Sequence, residues 1–312
     1  LTPREPQSPC HASQASAIDT RFSKLAIPAH HATEDTRLDP HALESLGSAS
    51  DRPIGVFDSG VGGLTVLRDI RRELPAEDLF YVADSAHAPY GDKSLSAVEA
   101  RAFAVTEHLL AAGAKAIVIA CNTATAVAVQ ALRERFIEMP IVAMEPAIKP
   151  AAQQTRSGVV GVLATSGTLA SRRFVQLVGR FRSEVEVLVQ PCPGLVERIE
   201  AGELDGDGTR ALLADYVVPL LERRADTLVL GCTHYPHLTP MIRELTGPDV
   251  IIADSGAAVA RQLRRRLAET NLLCPHIRVG KERFWTSADA PLATARLVQR
   301  LWGAEVRIEP IR

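Results

Sequence analysis

From Pro53 onward, short β-branched apolar runs alternate with longer stretches whose apolar residues recur at helical spacing. The runs at 54–57, 79–83, 116–120, 141–144, 159–164, 185–190, 227–230 and 250–253 predict strands. Between them, 64–73, 95–112, 123–135, 169–178, 208–222 and 257–268 predict helices. Strand and helix in alternation predict an α/β fold of mainly parallel sheets covered by helices, with more strands than one small sheet holds.

Two strand-to-helix starts resemble each other, Gly55-Val56-Phe57-Asp58-Ser59-Gly60 and Gly161-Val162-Leu163-Ala164-Thr165-Ser166-Gly167. A second pair is closer: Ile117-Val118-Ile119-Ala120-Cys121-Asn122-Thr123 parallels Leu228-Val229-Leu230-Gly231-Cys232-Thr233-His234, so Cys121 and Cys232 take equivalent places. The chain therefore reads as two similar, doubly wound α/β domains related by a pseudo-twofold duplication. A boundary is expected near 146–157, and the helix after Asp254 is expected to cross back. That divides the chain into 51–148 plus 256–312, a discontinuous first domain, and 149–255, the second. Residues 1–50 lack apolar periodicity, are rich in Ser, Pro, His and Ala, and are expected to be a disordered extension.

The 312 residues suit two domains at about 100–200 residues each. With 35 basic and 37 acidic side chains, a net charge of −2 and 4% aromatic residues, there is neither a basic stripe nor a set of stacking rings to favour nucleic acid as a partner. No apolar run approaches the ~20 residues of a membrane span. The 5 cysteines are an odd number without a recognisable secretory leader, so free thiols in the cytoplasm are expected.

In open α/β sheets, ligands bind beyond the carboxyl ends of the strands, where the turns beginning at Asp58, Cys121, Thr165 and Cys232 would sit. If the two units face each other, Cys121 and Cys232 can approach one ligand from opposite sides, the arrangement a two-base racemase needs. Each cysteine ends an apolar strand and opens a helix or turn, where backbone N–H groups favour a thiolate. A lone cysteine there is as often a small buried apolar residue. Two in matching contexts point to chemistry.

The run Cys232-Thr233-His234-Tyr235-Pro236-His237 also has zinc-ligand residue types, but no helix carries His-x-x-x-His spacing and Pro236 would interrupt one, so no metal is expected. Asp58-Ser59-Gly60-Val61-Gly62-Gly63-Leu64 is a glycine-rich turn that could present N–H groups to an anion. Thr65 stands where a dinucleotide fingerprint needs a small residue, and a tight turn capped by an aspartate explains the segment equally well.

Asp58-Ser59-Gly60-Val61-Gly62-Gly63-Leu64, Ala88-Pro89-Tyr90-Gly91, Cys121-Asn122-Thr123-Ala124-Thr125 and Gly231-Cys232-Thr233-His234-Tyr235-Pro236, in this order, resemble the glutamate racemases of the aspartate/glutamate racemase superfamily. The resemblance runs from about Pro53 to Leu267. It implies a cofactor-independent isomerase that interconverts L- and D-glutamate, supplies D-glutamate for peptidoglycan and cell-wall synthesis, and holds its active site in the cleft between two α/β domains.

By the same resemblance, Cys121 is the thiol that deprotonates D-glutamate and Cys232 the one that deprotonates L-glutamate, with Asp58 and His234 supporting them. Glu200 resembles a third auxiliary carboxylate, with Glu197 nearby as the alternative. Asp58, Ser59, Tyr90, Gly91, Asn122, Thr123, Thr165, Thr233 and His234 match positions that bind substrate. Monomers and more than one kind of homodimer occur in the family, some members are activated by UDP-N-acetylmuramoyl-alanine, and some bind DNA gyrase. Cys192 and Cys274 match no motif and are read as structural.

Aspartate racemases share the paired cysteines and differ by one methylene of substrate, worth only about 1–3 kcal/mol in a pocket. A non-catalytic amino-acid-binding protein remains the alternative from another class. Such a binder would need neither thiol.

Overall fold

Strand β1 (Ile54–Asp58) is buried at every position, and so is β3 (Ala116–Ile119), which is why both read as unbroken apolar runs and not as alternating ones. Between them in the chain lies β2 (Leu79–Ala83), and β4 (Ile141–Ala143) follows. The chain then builds a second sheet from β5 (Val159–Ala164), β6 (Glu186–Pro191), β7 (Thr227–Leu230) and β8 (Ile251–Ala253). It returns to the first with β9 (Glu282–Thr286) and β10 (Ile308–Pro310). The computed structural model describes residues 48–311.

The first sheet has 6 strands in the order β10-β9-β2-β1-β3-β4, and the second has 4 in the order β6-β5-β7-β8. Every strand pairing described is parallel. The stretch β2-β1-β3-β4 and the whole second sheet thus repeat one winding: out to one side, back across the starting strand, and on. Each reversal opens a crevice at the carboxyl ends of two neighbouring strands, β1 with β3 and β5 with β7. Asp58 ends β1, Cys121 follows β3, Thr165 follows β5 and Cys232 follows β7.

Helix Gly256–Glu269 buries Val259, Ala260, Leu263 and Leu267 in the same apolar cluster as Leu64, Leu67 and Ile70 of helix Leu64–Glu73. Where the chain crosses between the sheets, Ser255 Oγ donates to the Glu145 carbonyl at 2.5 Å, tying the two crossing segments together.

Several elements depart from the sequence reading. β9 and β10 were not expected, since Glu282-Arg283-Phe284-Trp285-Thr286 mixes charge with aromatic residues and Pro310 speaks against a strand. Helices Ile148–Gln154, Leu195–Glu200, Thr239–Thr246 and Pro291–Trp302 add to the expected set. The helix expected over 169–178 is two, Ser166–Leu169 and Arg172–Gly179. Ser171 breaks it, its Oγ donating to the Thr168 carbonyl at 2.7 Å and accepting from Phe174 N at 3.2 Å.

Of the extension expected to be disordered over 1–50, residues 1–47 lie outside the described residues. Ala49–Asp51 form a 3-10 turn, and the Ser50 carbonyl accepts from Lys115 Nζ at 2.5 Å. The reason is Lys115 itself: its ammonium is buried and needs oxygen partners, found in Ser50 and in the buried carboxylate of Glu77. Glu77 also accepts from Cys274 N at 2.8 Å. Among the described residues no helix is long and apolar enough to cross a membrane.

Candidate active site

Cys121 is the N-cap of helix Asn122–Arg135, with an extended backbone and its Sγ accepting from Ala124 N at 3.4 Å. The thiol also reaches Ser59 Oγ at 3.9 Å. Burial first, and then the Asp58 carboxylate, push the Cys121 thiol well above its ordinary range, so it rests protonated.

Cys232 lies in different company. Its Sγ is 3.7 Å from His234 Nδ1, and His234 Nε2 is 2.6 Å from Glu200 Oε1. Burial alone would lower the imidazole, but Cys232 and Glu200 more than reverse this and raise His234 well above its usual range. The imidazole is therefore a cation between a sulfur and a carboxylate. Glu200 ends helix Leu195–Glu200, which starts at Gly194 with φ 79°, a backbone that favours glycine.

The glycine-rich turn serves these carboxylates. Val61 N donates to Glu200 Oε1 at 2.7 Å, while Ser59 N and Gly63 N donate to the two oxygens of Asp58 at 2.7 and 2.5 Å. The expectation of an anion cradle is thus met by the protein's own side chains. Glycine is needed because a Cβ on Gly62 would come within 2.3 Å of His234 Nδ1, and one on Gly60 within 1.9 Å of Glu200 Oε1.

Asp58 is fully buried and also accepts from Thr233 Oγ1 at 3.2 Å, which joins the turn after β1 to the turn after β7. Burial raises its pKa, opposed by His234 and by the Ser59 amide. Both its oxygens are engaged by the protein. Its influence on Cys121 is electrostatic.

The remaining residues expected to bind substrate form the rest of the pocket. Ser59, Tyr90, Gly91, Asn122, Thr123, Thr165, Thr233 and His234 all line it together with both thiols. Thr123 Oγ1 lies 3.1 Å from Thr165 Oγ1, and Thr168, absent from the expected set, joins both at 3.2 and 3.0 Å. Its signal in the sequence was one helical turn after Thr165, a spacing shared by many capping pairs. Among the described residues, Asn122 Oδ1 and Nδ2 are buried without a hydrogen-bond partner. None of the residues lining the pocket is lysine or arginine.

Tyr90 lines the pocket, but its hydroxyl donates to Asp84 Oδ2 at 2.6 Å. Glu197 borders a neighbouring pocket with Asp92 and Cys192, and Glu200 alone of the two candidates meets His234. In the Cys232–His237 run the donors diverge: His234 faces Cys232, whereas His237 Nε2 turns to the Val61 carbonyl at 3.4 Å.

A family model described as Asp/Glu/Hydantoin racemase matches residues 54–263. A glutamate racemase of Pseudomonas paraeruginosa is 57% identical over 258 residues, 83% of this chain and 97% of its own. The crystal structure of a Bacillus anthracis glutamate racemase superposes with a TM-score of 0.75 at 32% identity, covering 84% of this chain and 98% of that one. That of the Francisella tularensis glutamate racemase in complex with D-glutamate superposes at 0.73 and 30% identity, covering 84% and 98%. A buried pair of thiols at equivalent ends of two repeated sheets, together with these matches, places the chain in the Asp/Glu/Hydantoin racemase family, among its glutamate racemases.

Proposed function

We propose that this chain interconverts L- and D-glutamate by proton transfer between two cysteines, without a cofactor. The observation that carries this is the presence of Cys121 and Cys232 in one pocket, each at the carboxyl end of the corresponding strand of its sheet. The related enzyme bound to D-glutamate supports the choice of substrate. The division of the chain into 51–148 plus 256–312 and 149–255 is part of this reading, supported by the pairing of β9 with β2 and the packing of Gly256–Glu269 on Leu64–Glu73.

In the direction from L-glutamate, the Cys232 sulfur takes the α-proton, and the electron pair of the C–H bond passes into the α-carboxylate. His234, held by Glu200, stands 3.7 Å from that sulfur and compensates the negative charge that a base there must carry. Cys121, resting protonated, gives its proton to the opposite face and is left as thiolate. The reverse sequence converts D-glutamate with the roles exchanged. Hydroxyl and amide groups of Ser59, Asn122, Thr123, Thr165 and Thr233 hold the substrate among mostly buried residues, which limits the access of bulk water to the carbanion. The product would serve as a building block of peptidoglycan.

The test is optical. D-glutamate mixed with the purified protein, without added cofactor, should lose its circular dichroism, and should keep it when the protein carries Cys121→Ser. Binding of glutamate without loss of signal would overturn the proposal. L-aspartate run in parallel separates the two racemase substrates.

A further inference from the structure

The Asp84 carboxylate, fully buried at the end of β2, belongs to no part of the proton-transfer chemistry and yet gathers three donors and the His87 ring. Arg101, on helix Leu95–Ala111, holds it with a fork, Nε to Oδ2 at 2.9 Å and Nη2 to Oδ1 at 2.8 Å. Tyr90 OH reaches Oδ2 at 2.6 Å, and His87 Nδ1 lies 3.2 Å from Oδ1. The Asp84 amide in turn donates to the Asp58 carbonyl at 3.0 Å, so the cluster is anchored beside the catalytic turn. Burial alone would raise this carboxyl, and the Arg101 fork and the Tyr90 hydroxyl overcome it and hold the group ionised.

What this cluster fixes is the turn that touches the other half of the molecule. Gly91 packs on Thr165 so closely that a Cβ would lie 2.8 Å from Thr165 Cβ, and a Cβ on Gly167 would lie 2.8 Å from the Gly91 carbonyl oxygen. Pro89, Gly91, Thr165 and Val196 border both the pocket with the two thiols and the one beside it. The turn is therefore the partition over the thiols, and the Tyr90 hydroxyl is its tether.

We infer that Asp84 and Arg101 are positioning residues that act through Tyr90, holding the Pro89–Gly91 turn against Thr165 and Gly167 so that the cleft closes over bound substrate. The inference rests on the proposed racemase reading for its kinetic test. A rigid fork suits the task because a guanidinium fixes both carboxylate oxygens at once, which a lysine ammonium does not. With the fork gone the turn is free to drift, and substrate is enclosed less often.

The experiment compares wild type, Tyr90→Phe, Arg101→Gln, Arg101→Lys and the double variant Tyr90→Phe/Arg101→Gln by steady-state racemisation in both directions. Alkylation of Cys121 by iodoacetamide is followed in each by mass spectrometry. Arg101→Gln should raise KM roughly tenfold with a smaller change in kcat, as expected for misplaced enclosure. Arg101→Lys should recover part of the loss, and Cys121 should alkylate several times faster in Arg101→Gln than in wild type.

Added to Tyr90→Phe, Arg101→Gln should have less effect than it has alone, because both break one tether. Full additivity, a fall in kcat at constant KM, or wild-type alkylation rates in the variants would overturn the inference. Should Arg101→Gln fail to fold, Tyr90→Phe, which loses only the hydroxyl, must by itself raise KM and the alkylation rate, or the inference falls. A wild type that leaves glutamate unchanged refutes the racemase reading instead, and the alkylation rates then decide the positioning role alone.

Discussion

Glu200 Oε1 lies 2.6 Å from His234 Nε2 and 2.7 Å from the Val61 amide, so one carboxylate oxygen joins the imidazole beside Cys232 to the turn that follows β1. Glu197, one helical turn earlier, has no part in this link. Glu200→Gln should therefore lower kcat roughly tenfold or more, since the charge-assisted contact to His234 is replaced by a neutral one. Glu197→Gln should stay within about twofold of wild type. Racemisation rates of the two variants at saturating L-glutamate check this.

The thiols themselves make the strongest demand. Cys121→Ser and Cys232→Ser should each leave the fold and its melting temperature nearly unchanged while lowering racemisation by at least about 10²-fold, the range for loss of a positioned acid or base. Each should also impair solvent exchange of the α-proton of one enantiomer more than the other, Cys121→Ser for D-glutamate and Cys232→Ser for L-glutamate. Deuterium uptake followed by NMR distinguishes the two.

Gly167→Ala would set a methyl 2.8 Å from the Gly91 carbonyl oxygen and 3.3 Å from the Gly91 Cα, against backbone that has no rotamer to yield. The two halves of the cleft must part slightly. The expected outcome is a fall of about tenfold in kcat/KM from misplaced groups, with a destabilisation of only about 1–3 kcal/mol. Kinetics and a melting curve on the same sample separate the two effects.

Burial pushes the His237 imidazole down to about 4, helped by the charge on His234, and Arg68 adds to it. The sign follows from linkage: the unfolded chain binds a proton near pH 6.5 that the folded one refuses until about pH 4, so stability is full above 6.5 and is lost as pH falls through this window. The loss should reach roughly 3 kcal/mol at its acid end. His237→Gln, which retains a donor for the Val61 carbonyl but does not titrate, should lose less stability between these limits. Urea unfolding at a series of pH values reads the difference.

Lys115 and Glu77 form a buried ion pair at the opposite end of the first sheet from the thiols. Lys115→Met should cost about 3–5 kcal/mol by stranding the Glu77 carboxylate, and Lys115→Met with Glu77→Leu should recover much of it. Guanidinium midpoints of both variants test the coupling.

Much of this molecule was legible in its sequence, and the parts that were not have physical reasons. The strands that carry Asp58, Cys121, Thr165 and Cys232 are buried on both sides, so their apolar runs stand out, and the duplicated run around Cys121 and Cys232 identified both thiols. Glu200 was ambiguous because Glu197 and Glu200 share one face of a short helix, and only the approach of Val61 and His234 distinguishes them. Tyr90, expected among the substrate-binding residues, lines the pocket, and its hydroxyl donates to Asp84, a contact between residues whose spacing announces nothing. β9 and β10 were unreadable for the complementary reason: flanking strands of mixed polarity lack the periodicity that burial on both faces imposes on β1 and β3.

The unlike surroundings of the two sulfurs, a backbone amide and a hydroxyl at Cys121 and an imidazolium at Cys232, have a thermodynamic consequence for the proposed reaction. Enantiomers in water have equal free energies, so the Haldane relation requires kcat/KM to be the same in both directions however asymmetric the protein. The difference between the thiols can appear only as paired changes, one enantiomer bound more tightly and turned over more slowly. Net flux toward D-glutamate must then come from its removal by whatever consumes it.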